Sequence, residues 1–321
     1  MVTAVSGVRP LCIVFCGTPE FAVPTLEAVA AAGHDVQLVV TQPDRASGRG
    51  LEFSAPPVKR TALALGLPVT QPEKIKNNAE FQQQLTAIAP DVILVVAYGR
   101  IIPQWMLDLP QHGNLNLHAS LLPKYRGAAP IQWAVANGER ITGNTTMRID
   151  AGLDTGDVLL QSEVAIGPTQ TAQDMFTVLA TDGAALMVET LRRLNAGMVH
   201  ARRQDNASAT LAPILTREDG RIDFARDAQT IFNRWRGFQP WPGAYTLFRG
   251  KKFIVHAMQV VTAVKGLAPG EILVRERALY AGCANGTALR FDEVQLEGKK
   301  RLPVGEFLRG YQLQLGEKLG Q

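Results

Sequence analysis

Apolar residues fall in short blocks along the first two hundred positions, separated by segments with helical spacing. Leu11–Cys16 (LCIVFC) is a continuous apolar run, the pattern of a strand buried on both faces. Gly17–Thr18 turns it. Pro24–Gly33 then reads as a helix, with proline in its first turn and glycine at its end. Val36–Val40 is a second strand, and the alternation continues. Helices are predicted at Pro56–Leu65 and Asn78–Ile88, a short strand from Pro68–Val69, and further strands at Asp91–Ala97 and Asn114–His118. Strands alternating with helices predict an α/β fold with a doubly wound, Rossmann-like parallel sheet. Val158–Val164 predicts another strand. Ala172–Asn195 predicts a long helix, with apolar residues at Met175, Leu179, Leu186 and Leu194.

The pattern changes after Ala201–Pro213, a polar stretch without periodicity that reads as a linker. A helix around Ala228–Arg236 precedes five short alternating runs: Ala244–Phe248, Phe253–Val261, Glu271–Val274, Leu279–Ala281 and Leu289–Val294. Glycines punctuate them. Short strands at this spacing predict a small OB-like β-barrel. The expected organisation is a catalytic domain over residues 1–200, a linker over 201–212 and a barrel domain over 213–321.

Composition narrows the class. At 321 residues, 46% hydrophobic and 19% charged, the chain is globular in make-up. No apolar run nears the roughly 20 residues of a membrane-spanning helix. Met1–Pro10 has one basic residue and no apolar core, so neither a signal nor a transit peptide is expected. Cys12, Cys16 and Cys283 lack metal-ligand spacing and read as small buried hydrophobes, pointing to a cytoplasmic setting. Nothing suggests more than a monomer. Charge is uneven: Met1–Asp205 holds sixteen Lys+Arg against eighteen Asp+Glu, whereas Asn206–Gln321 holds seventeen against eleven. A basic last third suggests contact with a polyanion, although such an excess is also within ordinary surface variation.

The first turn, Cys16–Ala22, holds one glycine, and Glu20 sits where a pyrophosphate needs a positive approach. A nicotinamide or flavin dinucleotide is therefore not expected, nor is a metal. The richest segment is Gly113–Pro130, GNLNLHASLLPKYRGAAP. Asn116 and His118 are two apart, hence on one face of a strand, with Leu115 and Leu117 facing the other way. Ligands of open α/β sheets bind at the carboxyl ends of such strands. Downstream, Asp150–Asp157 packs three aspartates and two glycines into a tight loop. Alone this is turn chemistry; beside His118, one of its carboxylates could fix the imidazole's tautomer.

Taken together, N-x-H-A-S-L-L-P-x-x-R-G-A-A-P-I and D-x-G-L-D-T-G-D resemble the folate-dependent formyltransferases. The resemblance extends to F-C-G-T-P-E-F-A-V-P, T-Q-P-D-R-A-S-G-R-G, V-A-Y-G-R-I-I-P, E-D-G-R-I-D-F and R-G-F-Q-P-W-P-G-A-Y-T, leaving only the first ten residues and the tail after about Arg301 without a diagnostic match. It implies Asn116, His118 and Asp154 as the catalytic group and 10-formyltetrahydrofolate as the formyl donor. By carry-over Val96, Ala97, Tyr98 and Gly99 line the pterin pocket, walled by Ser120, Leu121, Leu122 and Pro123. The acceptor amine it implies is that of an initiator methionyl-tRNA. The long loop Thr41–Lys59 supports a nucleic-acid acceptor, with Arg45, Arg49, Lys59 and Phe53. The basic start of the second domain supports it too, through Arg234, Arg236, Lys251 and Lys252. The interleaved aromatics, Trp241 among them, are expected to pack rather than to bind. An amino-sugar nucleotide acceptor is the alternative enzyme reading, and an RNA-binding module without chemistry the alternative outside enzymes.

Overall fold

A computed structural model describes residues 9–47, 52–262, 266–314 and 316–320. It divides into two compact units. The first comprises Met1–Pro130, Ile141–Ala165 and Phe176–Ala212; the second comprises Ile131–Arg140, Ile166–Met175 and Pro213–Gln321. Among the described residues no helix is long and apolar enough to cross a membrane.

In chain order the first half contains β1 (Cys12–Gly17), α1 (Val23–Ala31), β2 (Asp35–Val40), β3 (Arg45–Ser47), β4 (Glu52–Ser54), α2 (Pro57–Ala64), β5 (Val69–Thr70) and α3 (Ala79–Ile88). There follow β6 (Val92–Val96), α4 (Gln104–Leu107), β7 (Asn114–His118), α5 (Pro130–Ala136), β8 (Ile141–Arg148), β9 (Val158–Ala165) and α6 (Ala172–Asn195). One seven-stranded sheet runs β5-β2-β1-β6-β7-β8-β9. The apolar blocks explain its middle: Val14, Cys16, Leu38, Val40, Ile93 and Val95 pack with Phe81 and Leu85 of α3 and Met106 of α4. Each such side chain contributes about 1.5–3 kcal/mol on burial. α3 forms because Phe81 and Leu85 lie one turn apart on its buried face. Asn78 caps its start through Phe81 N–H, and Ala89, with φ 48°, ends it.

The parallel expectation holds for β5, β2, β1, β6 and β7, but β8 pairs antiparallel with both β7 and β9. Sequence periodicity passes over β8, ITGNTTMR, because its buried Thr142, Asn144, Thr145 and Thr146 are polar. Their hydrogen bonds make this burial tolerable: Thr146 Oγ1 lies 2.8 Å from Thr190 Oγ1, and Asn144 Nδ2 donates to Leu179 O at 2.9 Å.

The second unit contains α7 (Ala228–Gly237), β10 (Tyr245–Phe248), β11 (Lys251–Val261), β12 (Ile272–Arg275), β13 (Ala278–Gly282), β14 (Ala288–Leu296), β15 (Leu302–Pro303) and α8 (Val304–Gly310). Its antiparallel sheet runs β10-β11-β14-β13-β12, with β15 on β14. Phe248, Phe253, Phe291 and Phe307 form its aromatic core, against which Ile231 and Phe232 of α7 pack. The expected barrel is not closed by strand pairing: the path ends at β10 and β12. The chain's tail takes the place of a closing ladder. Glu317 O accepts from Ile272 N–H at 2.9 Å, and Gly320 N–H donates to Leu247 O at 2.8 Å.

Candidate active site

β7 follows its alternation closely. Leu115 and Leu117 are buried on one face, and Asn114, Asn116 and His118 share the other. Asn114 is spent on structure, its amide donating to Met106 O and Leu107 O of α4. Asn116 and His118 are left towards the carboxyl end of the strand, opposite Met147 and Thr145 of β8. His118 is only 6% exposed. Its Nε2 lies 2.9 Å from Tyr125 O, and its Nδ1 lies 3.7 Å from Asp154 Oδ2. A carbonyl only accepts, so Nε2 carries a hydrogen and Nδ1 is the nitrogen turned to the carboxylate.

The Asp150–Asp157 loop separates its aspartates by role. Asp150 organises the turn, its carboxylate accepting from Gly152 N–H at 3.0 Å and from Thr155 Oγ1 at 2.7 Å. Asp154 instead faces His118, and its Oδ2 also accepts Gly127 N–H at 2.8 Å. It does so from left-handed backbone, φ 51°, unusual for a residue with a side chain. Gly156 is required by close approach: a Cβ there would sit 1.9 Å from Arg148 O. Sequence spacing alone left the three carboxylates equivalent.

Residues 96–99 lie where β6 leaves the sheet, and Ala97 (φ 47°) and Gly99 (φ 76°) turn the chain there. Tyr98 O accepts from Thr18 Oγ1 at 3.1 Å and Gln42 Nε2 at 2.9 Å, which fixes this segment. The Tyr98 ring is buried, and burial pushes its hydroxyl pKa up. Ser120 O accepts from Thr145 Oγ1 and Leu122 O from Gln161 Nε2, so the Ser120–Pro123 segment is held by β8 and β9. Leu121 O accepts from Lys124 N–H and Pro123 O from Thr210 N–H.

Sequence reasoning missed a further group. Residues 204–212, read as part of a linker, are bonded to the segment after His118. Arg126 N–H donates to Thr210 O, Ala212 N–H to Arg126 O, and Tyr125 N–H to Thr210 Oγ1. Buried Gln204 touches the Asp154 loop itself, donating to Asp154 O at 2.9 Å and Gly156 O at 2.7 Å. A lone glutamine in a polar stretch carries no sequence signal for such a role.

The candidate cations fare unequally. Arg236 is 4% exposed and donates to Gly167 O, Gln170 O and Asn233 Oδ1, so the structure removes it from any phosphate-contact set. Desolvation lowers its pKa. Arg234 lies 4.8 Å from the Phe238 ring and donates to Asp219 O, a packing role. Lys59 is paired with Asp44 at 2.7 Å, and Asp44, held by Lys59 and Gln71, titrates below the usual carboxylate range. Arg45 is exposed and reaches Gln42 Oε1; Arg49 lies outside the described residues. Lys251 and Lys252 are exposed, Lys252 standing 4.2 Å above the Tyr245 ring. Turn residues Lys299 and Lys300, which sequence reasoning passed over, follow Leu296, the register partner of Phe253. Trp241, expected to pack, is 53% exposed; Phe238 is buried instead. Among the described residues no group of three or more His, Cys, Asp or Glu is placed to hold a metal ion.

Comparison with known proteins adds the family. Residues 11–191 match the model described as formyl transferase, and residues 214–312 match formyl transferase, C-terminal domain. The second match runs past Arg301, where diagnostic motifs gave out. A methionyl-tRNA formyltransferase of Acidobacterium capsulatum is 66% identical over 96% of this chain and 99% of its own length. One of Koribacter versatilis is 61% identical over 96% and 98%. Among solved structures, an N-formyltransferase from Helicobacter canadensis, in complex with folinic acid and dTDP-3-aminofucose, superposes with a TM-score of 0.67 at 18% identity. It covers 88% of this chain and 98% of that one. HypX from Aquifex aeolicus with tetrahydrofolic acid gives 0.62 at 18%, covering 97% of this chain and 49% of that one.

Proposed function

The chain belongs to the formyl transferase family, and from that premise we propose that it transfers the formyl group of 10-formyltetrahydrofolate to the amino group of methionyl-tRNA for translation initiation. The observation that carries the chemistry is the His118–Asp154 pair at the carboxyl end of β7, with Asn116 on the same face.

The reaction is acyl transfer. The methionyl amine attacks the formyl carbon, the new C–N bond forms, and the bond from that carbon to N10 of the folate breaks. The amine gives up one proton and N10 gains one, so atoms and charge balance. Negative charge gathers on the formyl oxygen as the amine adds. Asn116 offers an amide N–H to it, and His118, on the same strand face, is assigned as the acid–base group through Nδ1, the nitrogen not taken by Tyr125 O. Asp154 faces Nδ1 and favours the ring when it carries a positive charge. No step needs a metal in this scheme. The pterin is assigned to the Val96–Gly99 and Ser120–Pro123 walls. Their backbone is held from behind by Thr18, Gln42, Thr145 and Gln161, the rigid support that recognition through main-chain groups requires.

The acceptor's phosphates are assigned to Lys251 and Lys252, joined by Lys299 and Lys300, and the acceptor end to Arg45 and Arg49. In this reading the protein acts in the cytoplasm, where translation initiation takes place, and does so as a monomer. The test is formyl transfer from 10-formyltetrahydrofolate to charged initiator tRNA, with an amino-sugar nucleotide as the competing acceptor. Transfer to the sugar and not to the tRNA would reject the assignment.

A further inference from the structure

Tyr125 and Gly127, on either side of Arg126 in the chain, bond to the two members of the His118–Asp154 pair. Tyr125 O lies 2.9 Å from His118 Nε2. Gly127 N–H donates to Asp154 Oδ2 at 2.8 Å. Between them Arg126, 6% exposed, turns its guanidinium away from the pair and onto an amide. Its Nε and Nη2 donate to Gln204 Oε1 at 3.1 and 2.8 Å, and Nη2 also donates to Asn206 Oδ1 at 2.9 Å.

This fixes which way Gln204 points. With the guanidinium on Oε1, the amide nitrogen can only face the other side, where it donates to Asp154 O and Gly156 O. A flipped amide would set N–H against N–H and oxygen against two carbonyls. Gln204 is 7% exposed, so water does not readily replace these bonds. The two carbonyls it holds bracket the turn that keeps Asp154 at φ 51°. Left-handed backbone at a non-glycine residue persists only where its surroundings over-determine it. Arg126 and Gln204 are that surrounding.

We propose that Gln204, oriented by Arg126, is a positioning residue that sets the Asp154 carboxylate against His118. The inference rests on the reading of Asp154 as part of the catalytic group. A carboxylate already 3.7 Å from Nδ1 has little room to drift before the pair is lost.

The test is a kinetic cycle on the full-length chain with 10-formyltetrahydrofolate and charged initiator tRNA. Gln204→Ala should lower kcat by about 10²-fold, the loss expected of a misplacement near 1 Å, with KM for the folate unchanged. Gln204→Glu keeps the size and an acceptor for Arg126 but offers no N–H to the two carbonyls. It should lose kcat comparably, and the basic and acidic limbs of its pH–rate profile should move with the disturbed pair. In an Asp154→Ala background, measured under single-turnover conditions, Gln204→Ala should cost nothing more, because the residue it positions is gone. Near-UV circular dichroism on each variant separates a folded enzyme from a collapsed one. Wild-type kcat in both Gln204 variants, while Asp154→Ala is impaired, overturns the inference and leaves the reading of the site standing. So does an equal loss from Gln204→Ala in the Asp154→Ala background. Full turnover in Asp154→Ala itself takes down the reading of the site, and the inference with it.

Discussion

His118 stands between two oxygens, Tyr125 O and Asp154 Oδ2, and this is where residue identity matters most. Asp154→Asn keeps the shape and still accepts Gly127 N–H, but removes the charge that faces Nδ1. It should lose turnover by about 10²-fold or more while folate affinity holds, since the group acts on developing charge rather than on binding. Asn116→Ala, which removes one hydrogen-bond donor, should cost about 10²–10³-fold in kcat. Steady-state formylation kinetics with both substrates varied check the pair of outcomes; an Asn116→Ala enzyme altered only in KM would mean that the amide binds and does not stabilise. Asn116 and His118 were legible because strand alternation alone sets i and i+2 on one face. The choice of Asp154 over Asp150 and Asp157 came from the family resemblance and not from spacing; the geometry distinguishes it through the direction its carboxylate takes. Gln204 was not legible at all, because its role depends on a contact with Arg126, 78 positions away in the chain.

Elements were legible where apolar burial built them and hidden where polar burial did. β7 and α6 have the expected limits because their faces alternate or recur cleanly. β8 escaped because threonine and asparagine occupy its buried positions, and α5 and α8 because two turns of helix carry too few repeats to show a period. α7 shows how a single polar residue sets an element's start. Asp227 accepts Thr230 N–H at 2.9 Å and Thr230 Oγ1 at 2.6 Å, closing the first turn. Asp227→Ala should cost about 1 kcal/mol in urea unfolding. The Thr230 hydrogen bonds hold the Asp227 carboxyl below its usual range. A depressed carboxyl stabilises the fold above its unfolded pKa, about 3.9, and that contribution disappears as pH falls through the lower folded value. Asp227→Asn should therefore converge on the parent only as pH falls below the depressed folded value, and differ from it by a few tenths of a kcal/mol near neutrality. Stability measured across that range with a constant offset would show that the charge plays no part.

At the scale of the whole molecule, the split into an acidic-to-neutral front and a basic back was visible by counting, but which cations face outward was not. Counting cannot see that Arg236 is spent on backbone carbonyls, or that Arg249 is paired with Glu317 at 2.7 Å. Among the exposed cations of the second unit are four lysines that the sheet gathers at one end. Lys251 and Lys252 open β11, and Lys299 and Lys300 follow β14. Register and the Glu297 N–H to Lys252 O bond at 2.8 Å bring these two segments side by side at one end of the sheet. Four ammonium groups at one sheet end make a patch that attracts phosphates without reading bases. Each phosphate neutralised releases condensed counterions, so the affinity for tRNA should fall steeply with salt, whereas affinity for the folate should not. Replacing Lys251, Lys252, Lys299 and Lys300 together by glutamine should raise KM for charged tRNA and flatten its dependence on salt. If all four touch phosphate, the slope of log KM against log salt should drop by roughly 3–4. The folate KM and turnover at saturating tRNA should be unchanged, because none of the four is assigned to folate binding or to the transfer chemistry. The four positions are exposed and glutamine keeps a polar, hydrogen-bonding side chain, so a loss of fold is not the expected result. An unaltered salt slope in this variant would place the tRNA on another face and reduce the basic excess of residues 206–321 to ordinary surface charge.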